Sequence, residues 1–104
     1  MVTINNIKAL KDYCENDLDL KDEWGKLVKK AVELEQKSDE IATRHVKTNV
    51  PTQDIDYKQT GQLLTNFLES RAFFIERCKG RGVNIQFHIG SCTIYAIYEE
   101  SINT

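Results

Sequence analysis

The chain has 104 residues, 12.0 kDa of mass, 40% hydrophobic and 29% charged residues, and a formal net charge of −2. That size bounds it to one domain, 1–104, and the slight acidity argues against bulk electrostatic binding to nucleic acid or an anionic membrane. No apolar run approaches transmembrane length, and the start lacks a basic-then-apolar leader. The three cysteines (Cys14, Cys78, Cys92) show no paired spacing, so the expected compartment is a reducing cytoplasm.

In chain order, Thr3 is expected to cap a short helix over 3–15 that carries Ile4, Ile7, Leu10 and Cys14 on one face. A long helix over 20–47 follows. Its apolar positions step by four and three through Leu20, Trp24, Leu27, Ala31, Leu34, Ser38, Ile41 and His45. A heptad sustained that long predicts a coiled-coil-like seam about 40 Å long at ~1.5 Å per residue, weakening at Ser38 and His45. Pro51 and its polar neighbours mark a loop over 48–58, and a third helix over 59–79 carries Leu64, Phe67, Leu68, Arg71, Phe74, Ile75 and Cys78. The two long helices are expected to form an antiparallel hairpin. Gly80 or Gly82 suits a left-handed cap at the end of the third.

Val83 to Ile89 alternates apolar and polar residues, Gly90-Ser91 offers a two-residue turn, and Cys92 to Tyr98 returns rich in β-branched and aromatic residues. The expectation is a β-hairpin over 83–89 and 92–99 whose apolar face packs on the helices. The expected fold is therefore α+β: a short N-terminal helix, a long antiparallel helical hairpin and a C-terminal two-stranded β-hairpin. Its open edges would be free to pair with a second copy or a partner.

Candidate chemistry is sparse. In the expected hairpin register Cys92 and His88 fall on opposite faces, which makes Cys92 a buried apolar position and removes a thiol–imidazole pair. Neither Cys-x-x-Cys nor His-x-x-x-His occurs, so no metal and no cofactor is expected. Asp17 to Glu23 has the acid density of a calcium loop but lacks the glycine and places Lys21 at a ligand position. An acid-rich helix start explains it. A winged-helix reading fails on composition, since Asn66, Glu69, Ser70 and the single early base Arg71 make a poor recognition face. Nucleic acid is not an expected partner.

What remains is a non-enzymatic protein-binding module. Abundant Lys, Asn and Ile with scarce Arg fit an AT-rich genome, which favours a phage- or mobile-element-encoded inhibitor or modulator of a host enzyme or defence system. Partner contacts are expected at Gln86, His88 and Tyr95 on the hairpin's outer face, and at Glu33, Asp39 and Glu40 on the acidic helix. The competing expectation is a phosphate-bearing ligand or nucleotide gripped by Arg71, Arg77, Lys79 and Arg81, although those cations also suit a helix C-terminus.

Overall fold

The computed structural model describes residues 1–48 and 54–103. In chain order it contains β1 (Val2–Ile4), α1 (Ile7–Glu15), α2 (Leu18–Thr48), α3 (Asp54–Gly80), β2 (Val83–Ile85) and α4 (Ser91–Ile102).

The seam expected from the heptad is present. Leu20, Trp24, Leu27, Ala31 and Leu34 of α2 are buried against a core that includes Phe67, Phe74 and Cys78 of α3. The Trp24 and Phe74 rings meet at a centroid distance of 5.8 Å. Three pairings along the two helices fix their relative direction. Arg44 pairs with Asp56 near the tip, Trp24 meets Phe74 lower down, and Asp17 and Asp19 meet Arg81 at the base. Rising residue numbers on α2 meet falling ones beyond, so the hairpin is antiparallel. Phe74 is the ring that enters the core, while Phe73 is exposed beneath the Arg77 guanidinium.

Both long helices exceed their expected bounds, since α2 begins at Leu18 and α3 begins at Asp54, inside the loop expected over 48–58. Asp17 explains the first extension: its carboxylate accepts hydrogen bonds from the backbone N–H groups of Asp19 and Leu20, satisfying two donors that a helix start leaves open. The Pro51 portion of the expected loop and the side chain of His45 lie outside the described residues. At the far end, Gly82 adopts the left-handed conformation with φ 75°, and its N–H donates to the Lys79 carbonyl at 3.0 Å.

The expected C-terminal β-hairpin is not formed. Val83–Ile85 pairs in parallel with the N-terminal segment, in the register Val2↔Val83, Thr3↔Asn84 and Ile4↔Ile85. Residues expected to return as a strand over 92–99 form α4 instead. The reason is local and tertiary together. A type II′ turn needs positive φ at its first central residue, but Gly90 has φ −101° and stands at the N-cap of α4. The run also satisfies a helical period: Ile94, Ile97, Tyr98 and Ser101 turn one face toward Lys11, Trp24 and Val28. At the other terminus, Thr3 belongs to β1 and the short helix starts later than expected. Asn6 caps it by accepting from the Ala9 N–H at 2.8 Å.

Because α1, α2 and α3 all lie between β1 and β2, the strands connect by a crossover, which permits parallel pairing. Helices α1 and α4 both pack on α2 around the base of the hairpin. Ser91 at the start of α4 reaches Glu35, and Tyr98 near its end lies by Trp24 and Val28, so α4 runs antiparallel to α2. It covers only the proximal half of the hairpin. The molecule is accordingly elongated, 51 × 30 × 22 Å.

Burial sets the behaviour of the thiols. Desolvation pushes Cys14 up to about 12 and Cys78 up to about 11. Cys92, expected to be buried, is exposed on the first turn of α4. Iodoacetamide at pH 8 should modify Cys92 alone in the native chain, more slowly than an ordinary cysteine because its Sγ lies 3.4 Å from Glu35 Oε1. Cys14 and Cys78 should label only on unfolding, as read by intact-mass spectrometry. Truncating the central ring, Phe74→Ala, should cost about 3–5 kcal/mol in urea unfolding.

Candidate functional site

Three surfaces hold the residues of interest: the base of the hairpin, the junction of α4 with α2, and the distal face that α4 leaves bare.

The four candidate anion-binding cations sit at the base or along α3, and each has a local partner. Arg71 donates from Nη1 to the Ile89 carbonyl at 3.1 Å and lies over the Phe67 ring. Arg77 stacks on Phe73 with its Cζ 5.1 Å from the ring centroid. Lys79 pairs with Glu76 at 3.5 Å. Arg81 donates from Nη2 to Asp19 at 2.7 Å, and its Nε lies 2.8 Å from an Asp17 oxygen, too far out of line to count as a hydrogen bond. The structure therefore does not gather the four cations around a common ligand position. Arg71 ties α3 to the β2–α4 connection and Arg81 ties its end to the start of α2, while Arg77 and Lys79 engage side chains of α3 itself.

At the α4–α2 junction the sequence candidates come partly together. Tyr95 stacks on Tyr98, with centroids 6.2 Å apart and an interplanar angle of 19°. Desolvation, followed by the charges of Glu99 and Asp39, raises the Tyr95 phenol above its ordinary value, while a hydrogen bond with Gln36 opposes the rise. Asp39 is thus a neighbour of Tyr95 across the junction. Glu35 closes the start of α4: its Oε1 accepts from the Ser91 hydroxyl at 2.6 Å, a favourable place for a carboxylate at a helix N-terminus. Gln86 and His88 are exposed in the segment joining β2 to α4. The His88 ring lies over Gly90, where an added methyl would meet Cδ2 at 3.6 Å. Glu33 and Glu40 lie seven residues apart on a different stripe of α2. Glu33 is half-buried, and Glu40 is exposed and paired with Lys37 at 3.4 Å.

The third surface was not singled out in the sequence. Beyond Glu35, α2 and α3 continue without α4. Tyr57, Leu64 and Leu68 are 67%, 44% and 39% exposed, and their spacing of seven and four places them in one row along α3. Tyr57 lines a hollow of about 270 Å³ with Ser38, Ile41 and Ala42 of α2, and Ala42 continues the surface toward Val46, itself 81% exposed. Arg71 follows on the same flank of α3 and reaches Ile89, just before α4. The row therefore lies on the side of the hairpin that α4 occupies lower down. Leu64 and Leu68, expected on the apolar stripe of the third helix, are instead exposed, because Phe67, Phe74 and Cys78 take the face that meets α2. What the sequence did not show was that α4 stops short of them.

Comparison with protein-family models, with curated proteins and with solved structures gives no match to this chain.

The base also carries a pH-dependent restraint. The Leu20 backbone N–H, with the Arg81 guanidinium and the Asp19 N–H, holds the Asp17 carboxyl below the usual carboxylate range. A lowered folded pKa means stability that is present above the unfolded value of ~3.9 and lost as pH falls through the folded one. Asp17→Asn keeps a competent cap but removes the charge. Urea midpoints measured from pH 6 to pH 2 should fall less steeply on the acid side for the variant than for the parent chain.

Proposed function

We propose that this chain is a non-enzymatic protein-binding module that acts by occupying another protein's surface. The single observation that carries this reading is the junction of α4 with α2, where the stacked Tyr95–Tyr98 pair stands among Gln36, Asp39 and Glu99. Tyrosine supplies large contact area at low conformational cost, and flanking acids add partner selectivity and speed encounter with a basic surface. Gln86 and His88 are exposed on the connection that leads into α4. The small acidic chain and its AT-rich residue usage support a finer version, a phage- or mobile-element-encoded modulator of a host enzyme or defence system working in the cytoplasm. A phosphate-bearing ligand at Arg71, Arg77, Lys79 and Arg81 is the weaker reading, because each of those cations is engaged with a different local partner.

Affinity capture from the source cell with the tagged full chain tests the proposal. A specific protein should be retained by the parent chain and by Arg77→Glu, and lost with Tyr95→Ala combined with Asp39→Lys. Recovery of the same protein at equal yield with the Tyr95/Asp39 variant would refute the assignment of the surface. Loss with Arg77→Glu alone would favour the anion-dependent reading.

A further inference from the structure

Two thiols are buried at the base of the hairpin, and the protein-binding reading uses neither of them. Cys14 lies in the last turn of α1 and Cys78 in the last turn of α3, and both belong to one core cluster. Their neighbours hold them in matching frames. The Asp17 N–H donates to the Cys14 carbonyl at 3.2 Å, and the Arg81 N–H donates to the Cys78 carbonyl at 3.0 Å. Asp17 and Arg81, each three residues beyond its cysteine, are themselves in contact, with Arg81 Nε 2.8 Å from the Asp17 carboxylate. The ends of α1 and α3 are thus fastened together beside the two sulfurs. Electrostatics agree with that proximity. After desolvation, charge at Cys78 is the next cause that raises Cys14, and the Asp17 carboxylate raises both thiols.

A buried cysteine by itself is a small apolar residue and needs no further account. Two held side by side by adjoining helix ends have a chemistry that one lacks. Their oxidation becomes a joint event, because the second attack is intramolecular and waits for no encounter. In the closed molecule the same burial keeps both as thiols, since exchange needs a thiolate. Helix α1 has only nine residues and packs on α2, so its undocking is a small local opening that exposes Cys14 and uncovers Cys78.

The geometry points to a latent disulfide: Cys14 and Cys78 form an intramolecular bridge that fastens α1 to α3 when a low-molecular-weight disulfide reaches them through the opening of α1. With oxidised glutathione as that oxidant, one cysteine thiolate attacks its S–S bond and expels one glutathione thiolate. The other cysteine, as thiolate, attacks the protein sulfur of the mixed disulfide and expels the second glutathione. The chain gives up two protons and two electrons, and the oxidant leaves as two thiols. Because the fold already brings these helix ends together, the bridge constrains the unfolded chain more than the native one.

The test refolds the reduced full chain from urea into equimolar reduced and oxidised glutathione, so that exchange begins before burial slows it. Cys92→Ser removes the exposed thiol, and the parent chain should give the same bridge with Cys92 left outside it. Peptide mapping after an acid quench should find the Cys14–Cys78 disulfide in most of the chain. The urea midpoint of the bridged form should exceed that of the dithiol form, and dithiothreitol should return it to the dithiol value. Started from the folded dithiol, bridging should run about fivefold faster in Asn6→Ala, which removes the side-chain cap of α1. Mostly free Cys14 and Cys78, separate glutathione adducts, bridges between chains or a bridge to Cys92 would each overturn the pairing. A bridged chain with a lower urea midpoint than the dithiol would show that the fold does not hold the sulfurs in bonding geometry. A bridging rate untouched by Asn6→Ala overturns α1 as the gate.

Discussion

The buried seam between α2 and α3 is the constraint on which the rest of this structure depends. Leu20, Trp24, Leu27, Ala31 and Leu34 face Phe67, Phe74 and Cys78, and no other pair of elements in the described residues has comparable length. Neither helix has a stable reason to be straight and solvated alone, since helix stability in proteins comes mainly from packing an amphipathic face. Once the seam forms, its base brings the chain's two short strands together. Residues before α1 and after α3 arrive side by side, and a three-residue parallel pair joins them with Val83 and Ile4 buried. A pair so short would not persist by itself, and the helices beneath it supply the burial it lacks.

Around that seam the charged side chains act as ties more than as ligands. Arg81 reaches Asp17 and Asp19 across 62 to 64 residues of sequence, Arg71 reaches Ile89, and Glu35 receives Ser91. Each contact joins a peripheral piece to one of the two long helices. This accounts for cations that gather in the sequence near residue 80 yet do not converge in space. A helix C-terminus favours such residues through its dipole, and here acids from the start of α2 lie within reach. Exposed ion pairs of this kind contribute little stability individually. Their value lies in fixing the direction in which the segments leave α3.

The unequal lengths of α4 and the hairpin divide the molecule into two unlike halves. The proximal half is a four-helix assembly, with Phe67, Phe74 and Trp24 in its core and Tyr95 stacked on Tyr98. The distal half is a two-helix arm held near its tip by Arg44 and the buried Asp56, with apolar side chains facing outward. Tyr57, Leu64 and Leu68 stay exposed in a row because α4 ends its packing on α2 below them. The stacked Tyr95 and Tyr98 lie where the two halves meet, beside Gln36 and Asp39 of α2.

The sequence by itself determined the long helices, the seam and the left-handed cap after α3. Each is written in a local pattern that only one structure satisfies: a heptad sustained over several turns, or a glycine where φ must be positive. It also placed Tyr95 and Asp39 among the contact candidates without showing that they are neighbours. Tertiary structure alone decided the fate of residues 83–102. Over seven residues, Cys92 to Tyr98 fits both a two-residue and a 3.6-residue period, and Val83 to Ile85 has partners at either terminus that its own pattern cannot rank. Trp24, Val28 and Glu35 resolved the first ambiguity by offering a helical groove and a cap for α4. Val2 to Ile4, brought alongside by the hairpin, resolved the second. Both outcomes depend on residues more than fifty positions away in the chain, and a local pattern carries no record of contacts at that distance.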